Sequence, residues 1–261
     1  MNSLPTFTAL GSGPTVLMLH GIGGGHLALE PQVETLAQAG YRAVAWDMPG
    51  YGRSAPIEPY TFKGLAQSCI DLIDALQCES VALVGHSMGG MVAQELVLKD
   101  PQLVRKMVLA GTGPAGGEGI GTVAGVTFYD MLRGFFTGQD AKQFLFFTRT
   151  PGGIEAGKAF LARLKERTEG RDEEISVGAF LAQLEALRVW GKKAPADLSV
   201  VKQPVLVVNG DNDRMVPTVN THDLARRLPN SQLVIYPDAG HGSVFQFHAD
   251  FVRSALDFLA R

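Results

Sequence analysis

Two cysteines in 261 residues are too few for a disulfide framework. Cys69 and Cys78 fall in a segment that reads as one helix, which sets them about 13 Å apart along its axis and on different faces. That spacing excludes a bond between them, and both read as small apolar fillers in a reducing compartment. Charge is also scarce, at 19% of residues, and neither sign dominates: 23 Lys and Arg against 26 Asp and Glu give a net charge of −3. Nothing in that balance draws the chain to nucleic acid or to an acidic membrane. No run of about 18 uncharged apolar residues occurs, so no membrane span is expected. The opening MNSLPTFTAL lacks the basic and apolar regions of a secretion signal, and the expected compartment is the cytoplasm. The six histidines and two cysteines form no H-x-x-x-H or C-x-x-C spacing, so no metal is expected. GIGGG at 21–25 lacks the Lys-Ser/Thr of a phosphate loop and the dinucleotide pattern, so no cofactor is expected either.

Apolar residues make up 46% of the chain, enough for a sizeable core and too many for intrinsic disorder. Glycine is in excess: 31 residues, where the usual frequency of about 7% would give about 18. Glycine costs backbone entropy, so the excess needs a reason.

Short, Val-rich, continuous apolar runs recur at 16–19, 43–46, 81–84, 107–110, 205–208 and 233–236. Runs apolar on both faces are the pattern of buried parallel strands. Helical periodicity fills most gaps, over 30–39, 61–77, 88–98, 218–228 and 247–260. Strand–helix alternation predicts an α/β fold: a mostly parallel twisted sheet with helices on both faces. Alternation fails once, over 113–195, which reads as short helices including 158–168 and 176–190. This predicts a core of 1–112 and 196–261 with a helical cap, 113–195, inserted after the fifth or sixth strand. Eight of the 14 Phe lie in that insertion, as expected of a lid over an apolar pocket, although ordinary helix packing would also use them. Gly116, Gly117, Gly119, Gly121 and Gly125 lead into it and are candidate hinges.

The chemistry sits where strands end. VALV runs into GHSMGG at 85–90 and then into a helix, the context in which G-x-S-x-G presents a nucleophile. Gly85 and Gly89 remove side chains that would collide across the turn, and Ser87 stands at a helix N-terminus that favours a developing anion. The N–H of Met88, first in that helix, is a candidate oxyanion donor. A serine needs a base and the base needs an orienting acid. The last strand ends in PDAGHGS, which offers His241 as base. The strand before it ends in NGDNDRMVP, which offers Asp211 or Asp213; the spacing of Gly210, Asp213 and Pro217 favours Asp213. Asp238 is a third candidate, too near His241 in sequence to reach its ring comfortably. His20 and His86 flank the site in motifs where histidine is usually structural. Asp47 and Arg53, in DMPGYGRS, are expected to pin a turn, and His26, His222 and His248 read as surface or helix-face residues.

These motifs, with HGIGG at 20–24 and AGHGS at 239–243, make the chain resemble the alpha/beta-hydrolase superfamily over essentially its whole length. The resemblance implies nucleophile Ser87, acid Asp213, base His241 and an oxyanion hole from the N–H groups of Met88 and Ile22; the part of Ile22 rests on the resemblance alone. It also implies that 113–195 is the family's variable cap. A serine nucleophile points away from the epoxide-hydrolase and haloalkane-dehalogenase branches, which need a carboxylate. The leading expectation is hydrolysis of a small apolar carboxylic ester or lactone through an acyl-enzyme. The alternatives are perhydrolysis, acyl transfer or carbon–carbon bond hydrolysis with the same triad, or a receptor-like member that binds with little turnover.

Overall fold

The structure, a computed structural model, describes residues 4–22, 25–166 and 175–261, without the side chain of Leu27. Gly23, Gly24, the first residues of the opening segment and the last two positions of the helix expected over 158–168 lie outside the described residues. Seven strands form one sheet: β1 (Phe7–Leu10), β2 (Thr15–Leu19), β3 (Arg42–Trp46), β4 (Val81–His86), β5 (Val104–Ala110), β6 (Val205–Gly210) and β7 (Ser231–Tyr236). Their order is β1-β3-β2-β4-β5-β6-β7, parallel throughout except for β1 against β3. All six apolar runs are strands, and five are buried as expected; the sixth lies in β7 at the other sheet edge, where Gln232 and Leu233 are exposed. β1 is the addition: FTAL is short, exposed along its length and at the sheet edge, so burial left no apolar run to read.

The α-helices among the described residues are α1 (Glu30–Gln38), α2 (Phe62–Ala75), α3 (Met88–Lys99), α4 (Val123–Thr137), α5 (Ala141–Phe146), α6 (Pro151–Glu166), α7 (Val177–Lys192), α8 (Val219–Arg227), α9 (Ser243–Gln246) and α10 (His248–Ala260). Strand side chains alternate between two apolar layers. Val16, Met18, Val84, Val108 and Val208 pack with Val33 and Leu36 of α1 and Phe251 and Phe258 of α10. Leu17, Leu19, Leu83, Leu109 and Val207 pack with Leu65 and Leu72 of α2, Met91 and Leu96 of α3, and Leu224 of α8. A sheet buried on both faces in this way needs strands that are apolar at every position.

One helix is shorter than its periodicity suggests. α2 stops at Ala75, Gln77 turns to φ +55°, and Cys78 lies beyond the helix with Sγ 3.3 Å from Thr15 Oγ1. Cys69 is buried, and burial pushes its thiol pKa up.

The helical excursion follows the fifth strand and carries α4 to α7 before β6. Its residues Phe146, Phe160, Leu187 and Trp190 join the same apolar layer as α2 and α3. The Trp190 indole N–H donates to the Gly113 carbonyl at 3.2 Å, and its ring lies 4.9 Å from Phe62. The glycine-dense passage is packed, with a Gly116 N–H bond to the Trp190 carbonyl at 2.9 Å, and Gly125 lies inside α4. Of the eight Phe, Phe144, Phe146, Phe147 and Phe160 are buried, whereas Phe128, Phe135 and Phe136 face solvent. No described helix is long and apolar enough to cross a membrane.

Candidate active site

Ser87 sits between β4 and α3 with φ +54° and ψ −119°, one of three non-glycine residues with positive φ among those described. This backbone strain costs about 1–3 kcal/mol and persists only where the surroundings impose it. The surroundings here are tight: a Cβ added to Gly89 would lie 2.1 Å from the Leu19 carbonyl oxygen, and one on Gly85 would lie 2.6 Å from that of Gly89. Only glycines let α3 cross β2 this closely. The Ser87 N–H donates to the Ala110 carbonyl at 2.8 Å, which ties the turn to β5. Met88 opens α3 immediately behind Ser87. The loop after β2 passes against Ser87 as well: a Cβ on Gly21 would lie 2.7 Å from the Ser87 Cβ, which brings the Gly21–Ile22 backbone beside the serine.

His241 follows β7, and its Nδ1 lies 2.7 Å from Asp213 Oδ2. Both side chains are essentially inaccessible, at 1% and 0% exposure. Asp213 Oδ1 accepts the N–H groups of Met215 and Val216 at 2.8 and 3.0 Å. Those bonds fix the carboxylate so that Oδ2 faces the imidazole. Asp211 is exposed; its Oδ1 accepts the Asn212 amide at 2.7 Å. Asp238, at φ +51°, turns instead to the cap segment, where its carboxylate accepts the Thr148 and Thr150 hydroxyls at 2.8–3.0 Å.

The flanking histidines are neutral struts. His20 Nδ1–H donates to the Gly21 carbonyl at 2.8 Å while Nε2 accepts the Met48 N–H at 3.0 Å. Burial lowers its pKa to about 4. His86 donates from Nε2 to the His241 carbonyl at 3.0 Å, and burial followed by the neighbouring His241 lowers its pKa to about 3. His86 thus braces the backbone of His241, a contact that no spacing in the sequence announces. The Phe146 ring lies 5.7 Å from the His241 ring, and the Phe146 carbonyl accepts the Gly242 N–H at 2.7 Å. The end of α5 therefore covers this loop.

Two outlying residues differ from expectation. His26 is half-buried, with Nδ1 2.5 Å from Asp47 Oδ1, because the chain after β2 folds back on the end of β3. Arg53 is exposed and makes no hydrogen bond among the described residues; the turn is closed by backbone bonds such as Tyr51 N–H to the Met48 carbonyl at 2.8 Å, while the Asp47 carboxylate goes to His26. His222 is exposed on α8, and His248 is half-buried at the start of α10. Among the described residues no group of three or more His, Cys, Asp or Glu is placed to hold a metal ion.

Comparison with known proteins gives a consistent picture. A family described as alpha/beta hydrolase fold matches residues 14–247. A 2-hydroxy-6-oxononadienedioate/2-hydroxy-6-oxononatrienedioate hydrolase of Pseudomonas putida is 30% identical, over 97% of this chain and 90% of its own. One from Klebsiella pneumoniae is 32% identical, over 95% and 87%. The solved structure of an alpha/beta hydrolase fold protein from Chitinophaga pinensis superposes with a TM-score of 0.90 at 30% identity, covering 97% of this chain and 92% of that one.

Proposed function

Because the chain belongs to the alpha/beta-hydrolase fold family, we propose that it is a hydrolase that cleaves a carbon–carbon bond beside a ketone. Ser87 would be the nucleophile, His241 the base and Asp213 the group that orients it. The observation that carries the choice of bond is the near full-length likeness to 2-hydroxy-6-oxo-dienedioate hydrolases. A molecule with that name contains no ester, so its hydrolysis breaks a carbon–carbon bond next to the 6-oxo group. The expectation of an ester therefore gives way to one of the alternatives that use the same serine.

In the proposed course of the reaction, the substrate's 2-hydroxyl loses its proton and carbon 5 gains one, giving the 2-oxo tautomer. Ser87 Oγ passes its proton to His241 Nε2 and attacks carbon 6, and the oxyanion lies towards the N–H groups of Met88 and Ile22. The bond between carbons 5 and 6 then breaks. Its electron pair passes into the dienolate conjugated with the 2-oxo group, and the dienolate takes the proton held by His241. Water, deprotonated by His241, releases the acyl group as a carboxylic acid and returns Ser87. Asp213 holds Nδ1–H throughout, which leaves Nε2 free for the proton. His20 and His86 stay neutral and add no competing positive charge beside His241.

Ser87 and His241 are 4% and 1% exposed, so substrate entry requires the covering segment near Phe146 to shift. In this reading 113–195 acts as a cap. Ester or lactone hydrolysis is the second reading, favoured by the apolar ring of Phe146 beside His241. The discriminating experiment offers purified protein a 2-hydroxy-6-oxo-dienoate and p-nitrophenyl butyrate in parallel. Loss of the dienol absorbance with release of a carboxylic acid, at a kcat/KM well above that for the ester, supports carbon–carbon cleavage. The reverse ranking supports the ester reading.

A further inference from the structure

A cleft of about 410 Å³ lies where the acid loop, the base loop and the segment between α5 and α6 meet. Asn212 and Arg214 line it from the first, Asp238 and Gly240 from the second, and Phe147 and Arg149 from the third; neither Ser87 nor His241 lines it. We infer that this cleft binds a small carboxylate with an apolar body, at a site separate from the catalytic one.

The charges point that way. Arg214 gives Nη1 to Asp130 of α4 at 2.9 Å. Arg133 lays its guanidinium over the ring of Phe144, which lines the cleft, at 4.1 Å, and its buried Nη1 has no hydrogen-bond partner. Asp238 is saturated by the hydroxyls of Thr148 and Thr150. Arg149 is exposed and has neither an ion pair nor a hydrogen bond among the described residues. Three guanidinium groups stand near two carboxylates, which leaves one positive charge in excess; among the described residues only Arg214 of the three is paired with a carboxylate, and of Arg133 and Arg149 it is Arg149 that lines the cleft.

A single excess charge suits a monoanion, and a guanidinium fork suits the two oxygens of a carboxylate. The neighbouring walls are Phe144, Leu145 and Phe147, which suit an aromatic or acyl body. The volume falls in the range of about 300–1,000 Å³ typical of small-molecule sites. The occupant would touch residues on both sides of Asp213 and the residue before His241. Its binding therefore bears on the catalytic pair through backbone that the Asn212 N–H already ties to the Ala239 carbonyl at 2.9 Å. If the proposed reaction is right, the acid it releases belongs to this ligand class; the site itself does not depend on that reading.

The test uses protein whose Ser87 is capped with a fluorophosphonate, or the Ser87→Ala variant if capping fails, titrated with para-fluorobenzoate and followed by fluorine NMR. The catalytic serine is disabled in either form, so failure of the proposed reaction does not affect the readout. The expected result is saturable binding, with the dissociation constant raised about tenfold in Arg149→Ala, as for loss of one charge-assisted contact. Binding should be unchanged in Arg188→Ala, whose arginine pairs with Glu185 on α7, and the neutral para-fluorobenzamide should not bind. No saturable binding, or equal binding by Arg149→Ala, would overturn the inference.

Discussion

At the scale of single residues, the site is a set of side chains whose freedom has been removed. Ser87 is held in a strained turn, Asp213 by two backbone N–H groups, and His241 by Asp213 on one side and His86 on the other. Asp213→Asn should lower kcat by about a thousandfold or more, because the amide cannot hold the same imidazole tautomer, while Asp211→Asn should change it by less than about threefold. Steady-state rates of the two variants check this, and equal losses would assign the acid wrongly. The buried histidines make a second prediction. Their folded pKa values, about 4 for His20 and about 3 for His86, lie below the unfolded value. Between these limits the unfolded chain binds protons that the folded one does not. Stability is therefore full above about pH 6.5 and is lost as pH falls, by about 1.4 kcal/mol per pH unit for each histidine. Denaturant melts from pH 7 to pH 4.5 should show that slope, and His86→Gln should remove about one proton's share of it. The sequence supplied Ser87 and His241 through local motifs. Between Asp211 and Asp213 it offered only turn spacing, because the two bonds that orient Asp213 arise from the folded loop. The brace from His86 spans 155 positions and leaves no local trace.

At the scale of elements, close approach explains much of the glycine. Gly89→Ala should destabilise the fold by about 3 kcal/mol or more, since its Cβ would meet the backbone of β2. Gly125→Ala, inside α4 with nothing within 4 Å of the added Cβ, should instead stabilise by about 0.5–1 kcal/mol. Thermal melts of the two variants should move in opposite directions. A loss at Gly125 would instead mark that position as one needing glycine's freedom. The buried parallel strands were legible because burial on both faces forces continuous apolar runs. β1 was not, because an exposed edge strand carries no such requirement. The end of α2 is less legible, because apolar periodicity runs to Leu76 whereas the helix ends at Ala75 and the backbone turns at Gln77.

At the scale of the whole molecule, the strand ends bring together loops from 20–22, 85–88, 211–213 and 239–243, which are distant in the chain. The succession of motifs along the chain is readable because each sits at a strand's carboxyl end, whereas the order of the strands within the sheet is not written in any local pattern. The bond to be cleaved was not readable, because the same acyl-enzyme chemistry serves esters and ketones alike. In the proposed scheme pocket shape chooses the leaving group, and the segment between β5 and β6 meets His241 through Phe146 at the end of α5. That three of the eight Phe in this segment face solvent shows why counting aromatics does not outline a pocket. The claim on which the whole scheme stands is that Ser87 is the nucleophile. Mass spectrometry of the protein treated with a fluorophosphonate tests it most directly. The expected result is one adduct per chain, on the peptide that carries Ser87, with hydrolysis lost in proportion to labelling. An adduct on another residue, or hydrolysis that survives full labelling of Ser87, would contradict it.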